Sequence, residues 1–220
     1  MIKVLIADDE AIMREIINDY LAHEKNISVV GEARDGQSAI VQARGLRPDV
    51  ILMDMQMPGI DGVEATSIIH QELPDVRILG LSTFATDRYV VNLLHAGASG
   101  YLVKSSSPEQ ITSAIQTVMS GGSVLSPEVT RHVVHTLKET GPSIEEDSSP
   151  YKDLLTDKEL EVIKLLAQGL NNKEMAEQLF ISESTVKARF VKIMEKMQVR
   201  DRVQILIKAI EHHIVDVGKL

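Results

Sequence analysis

The 220-residue sequence lacks cysteine and lacks long apolar runs. Without cysteine the chain has no disulfide, no thiolate metal ligand and no cysteine nucleophile, which excludes thiol redox chemistry. No segment approaches the ~20 apolar residues that a membrane span requires. The N-terminal sequence MIKVLIADDE ends its apolar run in three acids instead of a signal-peptide cleavage site. We therefore expect a cytoplasmic protein that does not span a membrane.

Acidic residues are unevenly distributed along the chain, whose net charge is −9. Residues 1–150 contain 21 acidic residues (Asp and Glu) and 11 basic residues (Lys and Arg). Residues 151–220 contain 11 acidic and 12 basic residues. The nearly balanced C-terminal part can approach a polyanion without the repulsion that the acidic part would cause. The length suits two domains, and a hydrophobic content of 44% favours folded ones.

The first 120 residues alternate short apolar runs with helical patterns, which predicts an α/β domain of the (βα)5 type. Runs that are apolar throughout are typical of strands covered on both faces. Right-handed connections then give a doubly wound parallel sheet with helices on both sides. The predicted strands are Lys3–Ala7, Ile27–Ala33, Val50–Met53, Ile78–Ser82 and Gly100–Val103.

The strand signals end after residue 122, and the rest of the chain is predicted to be helical. Ser107-Pro108 begins a fifth helix of the first domain, and Gly121-Gly122 ends it. One more helix is predicted over Pro127–Leu137, and a polar linker over Glu139–Asp153. A small all-α domain of four helices follows. The predicted domains are residues 1–122, a helix and linker over 123–153, and residues 154–220.

Polar residues suited to phosphate chemistry lie at the ends of four predicted strands. Asp8 and Asp9 follow the first strand, Asp54 the third and Lys104 the fifth, while Ser82 ends the fourth. Because the carboxyl ends of parallel strands meet at one edge, we expect these side chains to converge. Clustered carboxylates need a cation, and hard oxygen ligands favour Mg²⁺. A carboxylate beside Mg²⁺ can attack a phosphoryl group while a lysine and a hydroxyl neutralise its oxygens.

Two other interpretations of this region are weaker. The acids could be solvated loop residues, but five suitable residues at one edge of a sheet argue against that. Met53, Met55 and Met57 could form a soft-metal site, although apolar packing at the strand end explains them better.

A basic helix near the C-terminus is the second candidate site. A tight turn at Phe180-Ile181-Ser182 precedes it, and residues 181–202 contain six basic residues against three acids. Such a helix can enter the major groove of DNA while its cations neutralise phosphates. The alternative is an amphipathic helix with a solvated basic face. Adjacent His212 and His213 project in different directions and are interpreted as surface residues, not metal ligands.

The segments ADDE, ILMDMQMPGIDG, LGLSTF and AGASGYLVKS resemble the receiver domain of two-component response regulators over residues 1–122. The resemblance implies that Asp54 accepts the phosphoryl group and that Lys104 contacts it. It also implies Mg²⁺ binding by Asp8, Asp9, Asp54 and the backbone carbonyl of Gln56, and a switch pair formed by Ser82 and Tyr101. A sensor histidine kinase would supply the phosphoryl group, and only slow self-phosphorylation and self-dephosphorylation are expected.

The segment LTDKELEVIKLLAQGLNNKEMAEQLFISESTVKARFVKIMEKMQVRDRVQILIKA resembles the LuxR-type helix-turn-helix, so the whole chain resembles the NarL/FixJ subfamily. The implied function is a transcription regulator that binds double-stranded DNA, as a homodimer when phosphorylated or bound to DNA. The implied phosphate contacts are Lys173, Ser184, Thr185 and Lys192. Lys187 and Ala188 would face base edges. Arg189 is also implied as a DNA contact, although it stands where the family often has histidine. The implied dimerisation residues are Val203, Leu206, Ile207 and Ile210, for which packing within their own domain is the alternative.

Two other functions fit the sequence less well. A phosphatase that uses Asp54 as nucleophile needs a second acid two residues later, and that residue is Gln56. An adaptor that binds RNA would be expected to expose aromatic side chains for base stacking. Residues 151–220 contain only three aromatic residues, Tyr151, Phe180 and Phe190.

Overall fold

The computed structural model describes residues 1–83, 87–122, 124–125, 130, 150–151 and 154–215. The chain divides into two compact units, Met1–Val124 and Leu125–Leu220. The helix predicted over Pro127–Leu137 and the linker predicted over Glu139–Asp153 lie outside the described residues, apart from Thr130, Pro150 and Tyr151.

The first unit is a five-stranded parallel sheet with strand order β2-β1-β3-β4-β5. This confirms the predicted (βα)5 fold. The strands are β1 (Ile2–Ala7), β2 (Ile27–Ala33), β3 (Val50–Asp54), β4 (Arg77–Ser82) and β5 (Gly100–Val103). The helices are α1 (Ala11–Ala22), α2 (Gly36–Leu46), α3 (Gly62–Glu72), α4 (Asp87–His95) and α5 (Pro108–Met119).

Both faces of the sheet are covered, which explains why the strand sequences are apolar throughout. Successive strand residues point to opposite faces, so Leu5 and Ala7 pack in one cluster with α2 and α3 residues. Val4 and Ile6 pack in the other cluster with residues of α1 and α5. Met53, Met55 and Met57 are buried, and Met53 and Met57 belong to the first cluster, in agreement with apolar packing.

The fifth helix begins where Ser107-Pro108 predicts. The Ser107 hydroxyl accepts a hydrogen bond from the Gln110 backbone N–H, and the Gln110 side chain accepts one from the Ser107 N–H. This reciprocal capping satisfies two backbone donors that the first turn leaves free, and Pro108 occupies the first helical position. After the helix, Gly121 adopts a positive φ of 74°, which glycine accommodates without steric cost.

The described part of the second unit contains four helices and no strand. They are α6 (Asp157–Ala167), α7 (Asn172–Gln178), α8 (Glu183–Met197) and α9 (Arg202–Glu211). Their core includes Val162, Ile163, Met175, Phe190 and Ile193, all at most 1% exposed. In neither unit do the described residues include a helix that is both long and apolar enough to cross a membrane.

Candidate functional site

The parallel strands bring the predicted pocket residues to one edge of the first unit. Asp8 directly follows β1, Asp54 ends β3, Ser82 ends β4 and Lys104 directly follows β5. The register pairs Ala7 with Met53, Asp54 with Leu81, and Ser82 with Val103. The carboxyl ends of β1, β3, β4 and β5 therefore lie side by side, as predicted from the sequence.

Lys104 joins the two buried carboxylates of this pocket. Its Nζ lies 2.8 Å from Asp8 Oδ2 and donates a hydrogen bond of 2.9 Å to Asp54 Oδ2. Asp8 is fully buried and Asp54 is 3% exposed. A third carboxylate, that of Glu10, lies 3.5 Å from the same nitrogen. One ammonium group thus pairs with two carboxylates that would otherwise face each other without a counter-charge, and it neutralises only part of their charge.

The pKa values of the pocket groups follow from burial and from these charges. Burial raises the pKa of Asp54, and Asp8 acts in the same direction, although Lys104 and the Gln56 backbone N–H oppose the shift. Burial works to lower the pKa of Lys104, but Asp8 and Asp54 outweigh it and raise that pKa. Lys104 is therefore a permanent cation at neutral pH. Asp54 binds a proton at a higher pH than an ordinary carboxyl.

The backbone around Asp54 is held closely against the start of α3. Gln56 N–H donates to Asp54 Oδ1 over 3.1 Å, which fixes the second carboxylate oxygen. Gly62 N–H donates to the Met55 carbonyl over 3.1 Å. A Cβ atom on Gly62 would overlap the Asp54 carbonyl oxygen, so only glycine allows this approach. The close contact fixes the backbone of Asp54 at the C-terminal end of β3.

Acidic side chains at the mouth of the pocket could hold a divalent cation. One carboxylate oxygen from each of Asp8, Asp9 and Glu10 lies within 4.8 Å of the others. Sequence reasoning did not include Glu10, although the run ADDE contains it. Together with Asp54, these carboxylates outnumber the positive charge of Lys104, and an excess of negative charge suits an Mg²⁺ ion. The roles predicted for Asp9 and for the Gln56 carbonyl remain predictions.

Ser82 and Tyr101, the predicted switch pair, lie on adjacent strands. β4 ends at Ser82 and β5 contains Tyr101, which is 7% exposed. Burial raises the pKa of the Tyr101 hydroxyl, and the nearby Ser82 side chain partly opposes this. Tyr101 is therefore a largely buried residue beside the end of β4.

The second unit contains the predicted helix-turn-helix in α7 and α8. The Asn171 side chain accepts hydrogen bonds from the Lys173 and Glu174 N–H groups and so caps α7. Phe180 adopts a positive φ of 53° in the turn, and Ser182 caps α8 by accepting from the Thr185 N–H. These local interactions fix where α8 begins.

The residues predicted to contact DNA lie on the solvent side of this motif. Val186, Phe190, Ile193 and Met197 anchor α8 in the core. Arg189 is only partly exposed and donates a 3.4 Å hydrogen bond to the Lys158 carbonyl of α6. The other predicted contacts are all exposed, namely Lys173, Ser184, Thr185, Lys187, Ala188 and Lys192.

Four of the six basic residues that indicated a DNA-binding surface have partners within the unit, and Arg189 is one of them. Lys196 forms a 2.7 Å ion pair with the buried Glu159 of α6. Arg200 lies 3.4 Å from the neighbouring Asp201 carboxylate. Arg202 stacks 3.9 Å above the Phe190 ring, and burial lowers its pKa to about 10. The positive charge that α8 offers to solvent therefore comes mainly from Lys187 and Lys192.

The apolar stripe predicted for dimerisation is buried in this structure. Val203, Leu206, Ile207 and Ile210 are between 1% and 5% exposed, and α9 packs against α6 and α8. A helix that has its apolar side in its own core does not offer that side to a second molecule. The arrangement agrees with the alternative interpretation, packing within the domain, and not with an exposed dimer surface made of these four residues.

Two family models match the two units. Residues 4–116 match the response regulator receiver domain, and residues 153–209 match the luxR family of bacterial regulatory proteins. Together these matches cover most of the chain. Each match falls on the unit in which we found the corresponding candidate site.

Individual relatives are similar over nearly their whole length. The chain is 42% identical over 217 residues to the transcriptional regulatory protein LnrK of Bacillus subtilis (strain 168), a match that covers 97% of this chain and 99% of LnrK. It is 37% identical over 214 residues to the response regulator protein VraR of Staphylococcus aureus, and this match covers 97% of this chain and 99% of VraR.

Solved structures are similar over the same length. The response regulator ChrA of a heme-sensing two-component system is 30% identical, with a TM-score of 0.52 and coverage of 97% of this chain and 98% of ChrA. The RcsB response regulator of Salmonella typhimurium is 25% identical, with a TM-score of 0.57 and coverage of 94% of this chain and 98% of the RcsB chain.

Proposed function

Because this chain belongs to the two-component response regulators, with a receiver domain before a LuxR-type DNA-binding domain, we propose that phosphorylation of Asp54 controls its binding to DNA. A receiver domain implies a sensor kinase as partner, and we assign the donor as the phosphohistidine of that kinase. The position of Lys104 Nζ beside both Asp8 and Asp54 is the observation that carries this proposal.

The chemistry is a phosphoryl transfer onto an Asp54 carboxylate oxygen. That oxygen forms a bond to phosphorus as the bond from phosphorus to the donor nitrogen breaks, and the imidazole departs. The Lys104 ammonium, 2.9 Å from Asp54 Oδ2, is in reach of the new phosphoryl oxygens and neutralises their charge. The Ser82 hydroxyl at the adjacent strand end can donate to another of them.

Receiver domains bind Mg²⁺ at an acidic pocket, and the residues of this pocket fit that ion. We assign Asp8, Asp9, Asp54 and the Gln56 carbonyl as its ligands, and Glu10 lies close enough to share in holding it. When bound, the ion neutralises charge on the phosphoryl oxygens. The acidic side chains orient it, and Lys104 balances the carboxylate charge that remains.

The protein is not expected to turn over an external substrate. With Gln56 two residues after Asp54, the pocket has no acid there to protonate a leaving group. Reaction is then limited to slow self-phosphorylation from small donors and slow loss of the phosphoryl group. A steady-state assay with small phosphoesters tests this, and sustained turnover would contradict it.

On the DNA side, α8 enters the major groove. Lys187 and Ala188 face base edges, while Lys173, Ser184, Thr185 and Lys192 hold the phosphate backbone. The Arg189 guanidinium donates a weak hydrogen bond to the Lys158 carbonyl. It contacts a DNA phosphate when that hydrogen bond is replaced by one to the phosphate. We further propose that phosphorylation favours a homodimer on paired half-sites, through a surface other than the buried stripe of α9.

The test compares wild-type protein with Asp54→Asn on genomic DNA. Both are treated with acetyl phosphate and Mg²⁺, and bound fragments are sequenced. Phosphorylated wild-type protein should enrich a defined set of sites that the variant does not enrich. Equal enrichment by both would show that Asp54 does not control DNA binding, and enrichment of no DNA by either would contradict the function as a whole.

A further inference from the structure

The outward face of α8 includes an exposed apolar side chain. At 100° per residue, the side of α8 opposite the buried Val186, Phe190 and Ile193 presents Ser184, Ala188, Val191, Lys192 and Glu195. Val191 is 59% exposed, although valine is a poor choice for a solvated helix position because its χ1 freedom is restricted there. Neither packing nor helix propensity explains valine at this position.

Exposed cations flank this apolar position on the same helix. Lys187 lies one turn before Val191, and Lys192 follows it directly. An apolar group between two exposed lysines is suited to a partner that is anionic at its edges and has an apolar group at its centre. The major groove of DNA fits this description, because phosphates line it and the C5 methyl of thymine projects into it.

We infer that Val191 recognises a thymine methyl group and so sets part of the operator sequence. This inference rests on the proposed function and specifies what that DNA interface selects. Lys187 precedes Val191 by four residues, about 6 Å along the helix, and base pairs are spaced by about 3.4 Å. The contacted thymine therefore lies within about two base-pair steps of the base pair that Lys187 contacts, for which guanine is the best acceptor.

Replacing thymine with uracil removes only the methyl group and tests this contact directly. Phosphorylated full-length protein is first used to select its preferred duplex from a random library. Each thymine of that duplex is then replaced singly by uracil, and the Kd is measured for every duplex. One thymine in each half-site should show a loss of about fourfold in affinity, the value expected for one buried methyl-sized group.

Variants at residue 191 assign the effect to this side chain. Val191→Ala removes both methyl groups and should bind the thymine and uracil duplexes equally, whereas Val191→Ile should keep the preference for thymine. Val41→Ala is the matched control, because Val41 is 54% exposed on α2 of the receiver domain. The Val41→Ala variant should lose as much affinity as the wild type when the critical thymine is replaced by uracil.

The outcomes separate the inference from the function on which it rests. A selected operator whose thymine preference is the same for the wild type and for Val191→Ala would overturn the inference and leave DNA binding intact. Selection of no preferred sequence would overturn both. A thymine preference that disappears only with Val191→Ala would support the inference.

Discussion

Asp54 is the residue on which control by phosphorylation depends, so its conversion to the amide is the first prediction. Asp54→Asn should abolish labelling from acetyl phosphate with Mg²⁺, because an amide is a poor nucleophile and a weaker Mg²⁺ ligand. Asp75→Asn makes the same change at an exposed residue outside the pocket and should label normally. Undiminished labelling of Asp54→Asn, followed by mass spectrometry of the peptides, would exclude Asp54 as the acceptor.

Lys104 has a structural role that Mg²⁺ should be able to replace in part. Lys104→Met leaves two buried carboxylates without their cation and should lower the free energy of unfolding by roughly 3 kcal/mol at neutral pH. Added Mg²⁺ should restore much of this loss, because it supplies a counter-charge to the same carboxylates. Urea unfolding with and without Mg²⁺ measures both effects.

A control for this experiment breaks an ion pair outside the pocket. Arg44 and Glu72 are 2.6 Å apart but both are largely exposed, so Arg44→Met should change stability little. The free energy of unfolding of the Arg44→Met variant should respond to Mg²⁺ no differently from that of the wild type. If Lys104→Met were as stable as this control, the pocket carboxylates would not need Lys104.

The pocket was predictable from the sequence because parallel strands place their C-terminal residues at one edge. Asp8, Asp54, Ser82 and Lys104 could therefore be grouped before any side chain was placed. The three contacts of Lys104 could not be predicted, because a long side chain chooses its partners only after the sheet has fixed their positions. Glu10 was missed for the same reason.

Within α8 we assign Lys187 to base recognition and Lys192 to the phosphate backbone. Lys187→Ala should weaken binding to the preferred operator by ~1–3 kcal/mol more than binding to random DNA, because a base-edge contact is lost. Lys192→Ala should weaken both about equally and reduce the salt dependence. Salt titrations on both DNAs measure this, and identical behaviour of the two variants would reject the division of roles.

The contact between α6 and α8 should make the stability of the second unit depend on pH. Burial works to raise the pKa of Glu159, but Lys196 and Thr156 outweigh it and lower that pKa. A carboxyl with a lowered folded-state pKa stabilises the fold above its ordinary value of 4.5, and this stabilisation is lost as the pH falls through the lowered pKa. Glu159→Gln should therefore destabilise α6 at neutral pH and make the stability of α6 less sensitive to a fall in pH.

Hydrogen exchange of the α6 amides across this pH range measures the effect. The matched control is Glu177→Gln, which makes the same change at an exposed residue of α7. A variant at Glu159 that exchanged like this control at neutral pH would show that the ion pair with Lys196 adds nothing to stability.

Secondary structure was easier to predict than the faces that the helices bury. The five strands were predicted to within one residue at either end because runs such as Val50–Met53 are apolar throughout. The spacing of Thr156 and Glu159 is typical of a capping box, and α6 begins there. The sequence could not show that Lys196 and Arg202 have partners within the unit, or that the stripe of α9 is buried, because these depend on how the helices pack.

At the scale of the whole molecule, the phosphoryl group must influence a DNA-binding domain that is separated from it in sequence. The sequence predicts a polar linker over Glu139–Asp153, a segment that lies mostly outside the described residues. A linker of the predicted kind would not transmit a rigid displacement. We therefore expect phosphorylation to change the population of docked or dimeric forms.

Ser82 is the residue through which this population change should begin. A phosphoryl oxygen on Asp54 can accept a hydrogen bond from the Ser82 hydroxyl. The move of Ser82 toward it leaves space into which the Tyr101 ring can turn, and this changes the face formed by α4 and α5. Phosphorylation should then raise the dimer fraction and tighten binding to paired half-sites much more than to a single half-site. Ser82→Ala should still accept phosphate but lose both effects.

Sedimentation of phosphorylated and unphosphorylated protein, together with binding to one and to two half-sites, tests this mechanism. Ser120→Ala makes the same change at an exposed residue just after α5, outside the pocket, and should behave like the wild type. Because a dimer gains affinity only where both half-sites can be occupied together, the ratio of the two affinities reports dimerisation on DNA. Equal tightening on both DNAs with no change in mass would mean that phosphorylation acts within each molecule by itself.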